Sequence, residues 1–149
     1  MRHFLILAVI LAFATCSKES ATYYEYNGAT ITRIDRGNKI YFYYGRFDNE
    51  NFPETFVKAE YSGLNSGMHA YMIFFPNGRV RISPAGGLFK KNGADSLLSL
   101  YEFNDNYLLN AWLDSIRGNF NNTVELSDGL KFEEEINRES HSKVKVSYP

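Results

Sequence analysis

The sequence predicts a mainly β, α+β fold: a curved antiparallel sheet or small barrel with one or two short helices near 95–117. Three observations carry this. The 149 residues include one Trp, 11 Tyr and 12 Phe, and flat rings suit a pleated, half-buried surface better than a helix. Most segments after residue 22 alternate apolar and polar side chains with a period of two. Gly-, Asn- and Pro-containing turns punctuate those segments, whereas helical spacing is confined to one stretch.

Taken in order, "ATITRID" and "KIYFYYGRF" flank "DRGN" and read as a hairpin. The second strand places Ile40, Phe42 and Tyr44 on one face, with Tyr41 and Tyr43 on the other. "FDNENFPETF" is polar, carries Pro53 and reads as a loop. "TFVKAEYSG" alternates Phe56, Lys58 and Glu60 against Val57, Ala59 and Tyr61, so one face is wet and the other is core. The clearest hairpin is "HAYMIFFPNGRVRIS", in which Asn77-Gly78 supplies a tight turn. Val80 and Ile82 on its return strand alternate with Arg79, Arg81 and Ser83. "PAGGLFKKNGAD" is read as a loop.

From Asp95 the period changes. Leu97, Leu98, Leu100 and Tyr101, then Leu108, Leu109, Trp112, Leu113 and Ile116, recur at helical spacing. Asp95 and Asn104 suit helix starts and Gly118 suits a stop. The tail returns to strands: "NTVELSDGLKFEEEI" reads as two around "SDG", which puts Glu133, Glu134 and Glu135 on alternating faces. "SKVKVSY" is a last edge strand whose lysines discourage further pairing.

The first residues have a different task. Arg2 and His3 precede an apolar block, Phe4 to Ala14, followed by small residues and the only cysteine. As a helix that block is roughly 16 Å long at about 1.5 Å per residue, short of the ~30 Å a membrane span needs. Phe13, Ala14, Thr15 and Cys16 resemble the bacterial lipobox, in which the cysteine is acylated and becomes the first residue of the mature chain. Phe13 and Thr15 depart from its usual Leu and Gly or Ala. The resemblance implies a signal peptide at 1–15, an acylated tether at 16–22 and a single domain at 23–149. It also implies a membrane partner reached through the lipid on Cys16, with no acidic residue at Ser17 to favour the inner membrane, hence an outer-membrane location. The body, with "YMIFFPNGRV" and then Trp112, is similar to small β-rich, lipocalin-like envelope lipoproteins.

Composition excludes several function classes. Removing residues 1–15 leaves about 134 residues, one domain in size, with 15 basic against 17 acidic side chains and a net charge of −2, which does not suit nucleic acid. No second cysteine exists to form an intramolecular disulfide. His69 and His141 each stand alone, without metal-ligand spacing, so neither a metal site nor a cofactor is expected and no residue is singled out as catalytic. "GLNSGMH" lacks the Gly-x-Ser-x-Gly order of a nucleophile elbow, and Asp48, Glu50 and Glu54 lack the order of a calcium loop. "AGGLFKKNG" lacks the spacing of a phosphate loop. Arg79 and Arg81 beside an aromatic strand suit single-stranded nucleic acid, a partner that export removes.

What remains is aromatic. Tyr41, Tyr43 and Tyr44 offer apolar faces with hydroxyl handles, suited to a small apolar, glycan or protein ligand. The expectation is a non-enzymatic binding or interaction module on an envelope lipoprotein. The alternatives are a small envelope-polymer hydrolase using acids such as Glu54 or Glu102, and a structural or assembly lipoprotein.

Overall fold

The computed structural model describes residues 21–48, 51–61, 67–103, 106–116 and 120–149. These form strands β1 (Ala21–Tyr26), β2 (Ala29–Arg36), β3 (Lys39–Tyr44), β4 (Phe56–Glu60), β5 (His69–Phe74), β6 (Val80–Gly86), β7 (Leu88–Asn92), β8 (Leu98–Leu100), β9 (Thr123–Ser127) and β10 (Lys145–Ser147). Helices α1 (Asn106–Ile116) and α2 (Leu130–Glu139) complete the fold. The strands make two sheets, β10-β1-β2-β3-β4-β7 and β8-β6-β5-β9. Neighbours are antiparallel except β6 and β8, which run parallel. The fold is thus mainly β with two helices, and both sheets are open, so the barrel form is not adopted.

Alternation explains the packing. Tyr24, Ile31, Phe42, Val57, Ala59 and Phe89 project from the six-stranded sheet onto Ala70, Met72, Phe74, Ile82, Leu98 and Leu126 of the four-stranded sheet, and all lie in one core. Each large apolar side chain buried there contributes on the order of 1.5–3 kcal/mol. A slip of one residue would turn a strand's whole apolar set outward, which holds the register.

Two turns show how the chain reverses. Asn27 and Gly28 both have positive φ, 47° and 80°, and join β1 to β2 as a tight two-residue loop whose twist matches the strands. In "PNG" only Gly78 is left-handed, at φ 78°; Pro76 and Asn77 occupy the centre of the turn, closed by Gly78 N–H donating to Phe75 O at 3.0 Å.

Four expectations are corrected. Residues 88–92, read as loop, form β7, laddered to β4 from Phe56↔Asn92 to Glu60↔Leu88. Its alternation was masked because Phe89 is its only buried side chain. Leu98–Leu100, read as helical, is β8, drawn into the sheet because Leu98 fills the core. Residues 130–139, read as a strand, are α2, whose buried face consists of two polar residues four apart, Glu133 and Asn137; an apolar-period search misses such a helix. Ala21 and Thr22, placed in the tether, already pair with Ile34 and Arg33. The hairpins at 29–44 and 69–86, the helix at 106–116 and the edge strand β10 are as expected. Cys16 and the signal segment, Glu50, and Ser66 of "GLNSGMH" lie outside the described residues.

Candidate functional site on the outer face of the four-stranded sheet

The three tyrosines expected to bind ligand are divided between two faces. Tyr41 and Tyr43 lie on the outer face of the six-stranded sheet, where the segment after β3 lays Phe47 and Phe52 across them. Tyr43 is buried and stacks on Phe52 with ring centroids 4.8 Å apart. Tyr41 packs against Tyr43 and Phe56, and the Arg36 guanidinium sits 5.6 Å from its centroid. Tyr44 points the other way: its hydroxyl donates to Gly78 O at 2.7 Å and ties β3 to the β5–β6 turn. Two of the three therefore build a secondary core, and the third is a strut between sheets.

A buried ionic cluster anchors α2. Arg33 on β2 is fully buried; its Nε and Nη2 donate to Asp35 Oδ1 and Oδ2 at 2.7 and 3.1 Å, and its Nη1 donates to Glu133 Oε2 at 2.8 Å. Glu133 also accepts from the Tyr24 hydroxyl at 2.5 Å and from Ser127 N–H at 3.1 Å. Burial pushes the Glu133 carboxyl above its usual range, against the opposing pull of Arg33 and its hydrogen bonds. Tyr24 is held well above the ordinary phenol range by burial and then by the Glu133 charge. Asn137, one turn on, donates to Glu125 O and accepts from Glu125 N–H, both at 2.9 Å, and so satisfies the free edge of β9. Every polar atom in this cluster has a partner, which marks it as structural.

The outer face of the four-stranded sheet is different. Cross-strand register places Tyr71 between Ser83 and Glu125, with Ile73 beside Arg81 and Thr123 in the next row. His69 Nε2 donates to Glu125 Oε1 at 2.6 Å, and its ring lies 5.3 Å from that of Tyr71. In this pair the carboxylate oxygen accepts, so Nε2 is the ring nitrogen that donates. Burial, then the Glu125 charge, pushes the Tyr71 phenol up to about 12. Ser83 Oγ is the one buried side-chain polar atom without a hydrogen-bond partner among the described residues.

An arc of rings rims this face. Tyr71 meets Trp112 of α1 edge-on at 5.5 Å, Trp112 meets Phe103 at 5.4 Å, and Phe103 meets Tyr101 at 5.1 Å. The arc ends at Arg81, whose guanidinium carbon is 5.1 Å from both the Tyr101 and the Phe75 centroids. Beside it a cleft of about 290 Å3 opens between the Phe75–Arg79 turn and the segment leading into β8.

Sequence reading missed this site because its members are far apart in the chain. His69 and Glu125 are separated by 56 residues, and only the pairing of β5 with β9 joins them. The available signal was parity: His69, Tyr71 and Ile73 share one face of an apolar strand. Of the acids named for a hydrolase, Glu54 precedes β4 in one sheet and Glu102 follows β8 in the other. Among the described residues no three His, Cys, Asp or Glu side chains are grouped to hold a metal, and no helix is long and apolar enough to cross a membrane. No protein family, curated protein or solved structure matches the chain.

Proposed function

We propose that the chain is an outer-membrane lipoprotein, anchored through acylated Cys16, that acts as a non-enzymatic binding module and receives its ligand on the outer face of the four-stranded sheet. The lipobox-like segment ending at Cys16 supports the anchor. The observation that carries the binding reading is the arc of rings from Tyr71 through Trp112 and Phe103 to Tyr101, which runs to a cleft of about 290 Å3 beside Arg81. His69 and Glu125 supply the base and orienter of a nucleophilic site, but Ser83 Oγ bonds to neither.

Two measurements test the reading. Intact mass of membrane-extracted protein shows acyl mass that Cys16→Ala lacks; an unmodified residue 16 in the wild type sinks the anchor. Trp112, the only tryptophan, reports on the face through its contact with Tyr71. Titrating neutral and acidic saccharides and a fatty acid gives a saturable fluorescence change for at least one, weakened by Tyr71→Ala. A flat response across that panel removes the binding-face reading.

A further inference from the structure

The residues at the Arg81 end of this face identify the ligand's chemistry, an inference that rests on the binding-face reading above. Arg81 lies on β6, between β5 and β8, so Phe75 approaches it from one side and Tyr101 from the other. Two rings at 5.1 Å hold the guanidinium by cation–π attraction, which leaves the N–H donors along its edge to find acceptors. Among the described residues neither Arg81 nor Arg79 pairs with a carboxylate, although the chain has 17 acidic residues. Residues 79 and 81, two apart in extended chain, present both cations to one side. The same cleft is lined by Asn77, Ser96 and Ser99.

We infer that this cleft is an oxyanion site for an acidic saccharide, with Arg81 as the bidentate contact to a carboxylate or phosphate and Arg79 as a second cation. A pre-oriented guanidinium edge matches two oxygens of either group, and such charge-assisted pairs are about twice as strong as neutral hydrogen bonds. At about 290 Å3 the cleft is many times the roughly 30 Å3 share of a water molecule, so it holds the body that bears the anion as well. The serine hydroxyls and the Asn77 amide suit sugar hydroxyls, and the exposed Tyr101 ring suits a sugar face.

The test is calorimetric titration of the detergent-solubilised full-length protein with glucuronic acid, glucose 6-phosphate, glucose and inorganic phosphate. At least one acidic sugar binds, with glucose and inorganic phosphate each weaker by about tenfold or more. Arg81→Ala and Arg81→Lys both lose about tenfold or more in affinity, because lysine keeps the charge but neither the fork nor the stack. Lys58→Ala, on the other sheet, changes nothing, and unchanged urea midpoints show that the variants fold. Equal binding of glucose, equal binding of inorganic phosphate, full affinity in Arg81→Lys, or no binding of either acid overturns the assignment. Any of these outcomes leaves the binding face standing if the Trp112 signal saturates with another ligand.

Discussion

Arg33 and Arg81 are both held in place by their surroundings, and they differ in what is left over. Arg33 is sealed between β2 and α2 with each of its three nitrogens donating to Asp35 or Glu133. Arg81 is held by two rings, and its edge donates to no acid among the described residues. A saturated guanidinium fixes a fold; one that is oriented and unsaturated is prepared to bind. The same contrast holds between the two outer faces. On the six-stranded sheet Tyr43 is covered by Phe52, while on the four-stranded sheet the buried Ser83 hydroxyl has no partner among the described residues.

The largest effect expected from breaking this contrast is at Glu133. Glu133→Leu leaves the buried Arg33 half-paired and lowers stability by about 3–5 kcal/mol, read as a fall in the urea midpoint. Adding Arg33→Met recovers much of the loss, because replacing both charges removes the uncompensated one; a double variant as unstable as the sum of the singles would contradict this. Arg81→Ala, by contrast, costs no more than about 1–2 kcal/mol, the worth of its two ring contacts, while losing the acidic ligand.

Smaller effects sharpen the picture. Ser83→Ala removes an unpaired buried hydroxyl, so unfolding free energy rises by about 1 kcal/mol while ligand affinity falls; destabilisation would show that the hydroxyl has a partner after all. Tyr44→Phe deletes the bond to Gly78 O and costs about 1 kcal/mol in the same assay. A separate signal is a pH slope. With its phenol raised from 10.0 to about 12, Tyr71 keeps its proton in the folded chain over a range where the unfolded chain loses it. The folded state therefore binds more protons there, and stability falls as pH rises from about 10 to about 12. Tyr71→Phe shows a shallower fall between urea curves at the two ends of that window; identical slopes would refute the shift.

Legibility followed the wavelength of the pattern. The β5–β6 hairpin announced itself because apolar alternation and the "PNG" turn are local and agree. α2 did not, because its inward face is Glu133 and Asn137, residues that hydropathy assigns to solvent. Their burial makes sense only once Arg33, 100 residues away from Glu133, and the open edge of β9 are in place. For the tyrosine trio, parity separated Tyr41 and Tyr43 from Tyr44 correctly, but nothing local told that Phe47 and Phe52 would pack on the outer face.

By itself the sequence determined the β-rich class and the parity of each well-alternating strand, because these depend on side-chain period and on turns a few residues long. Tertiary structure alone decided that the chain makes two open sheets, that Arg33 meets Glu133 while Arg81 pairs with no acid among the described residues, and that His69 meets Glu125. Those outcomes depend on which strands become neighbours, and that choice is made by the free energy of the whole core, to which no single segment holds the key.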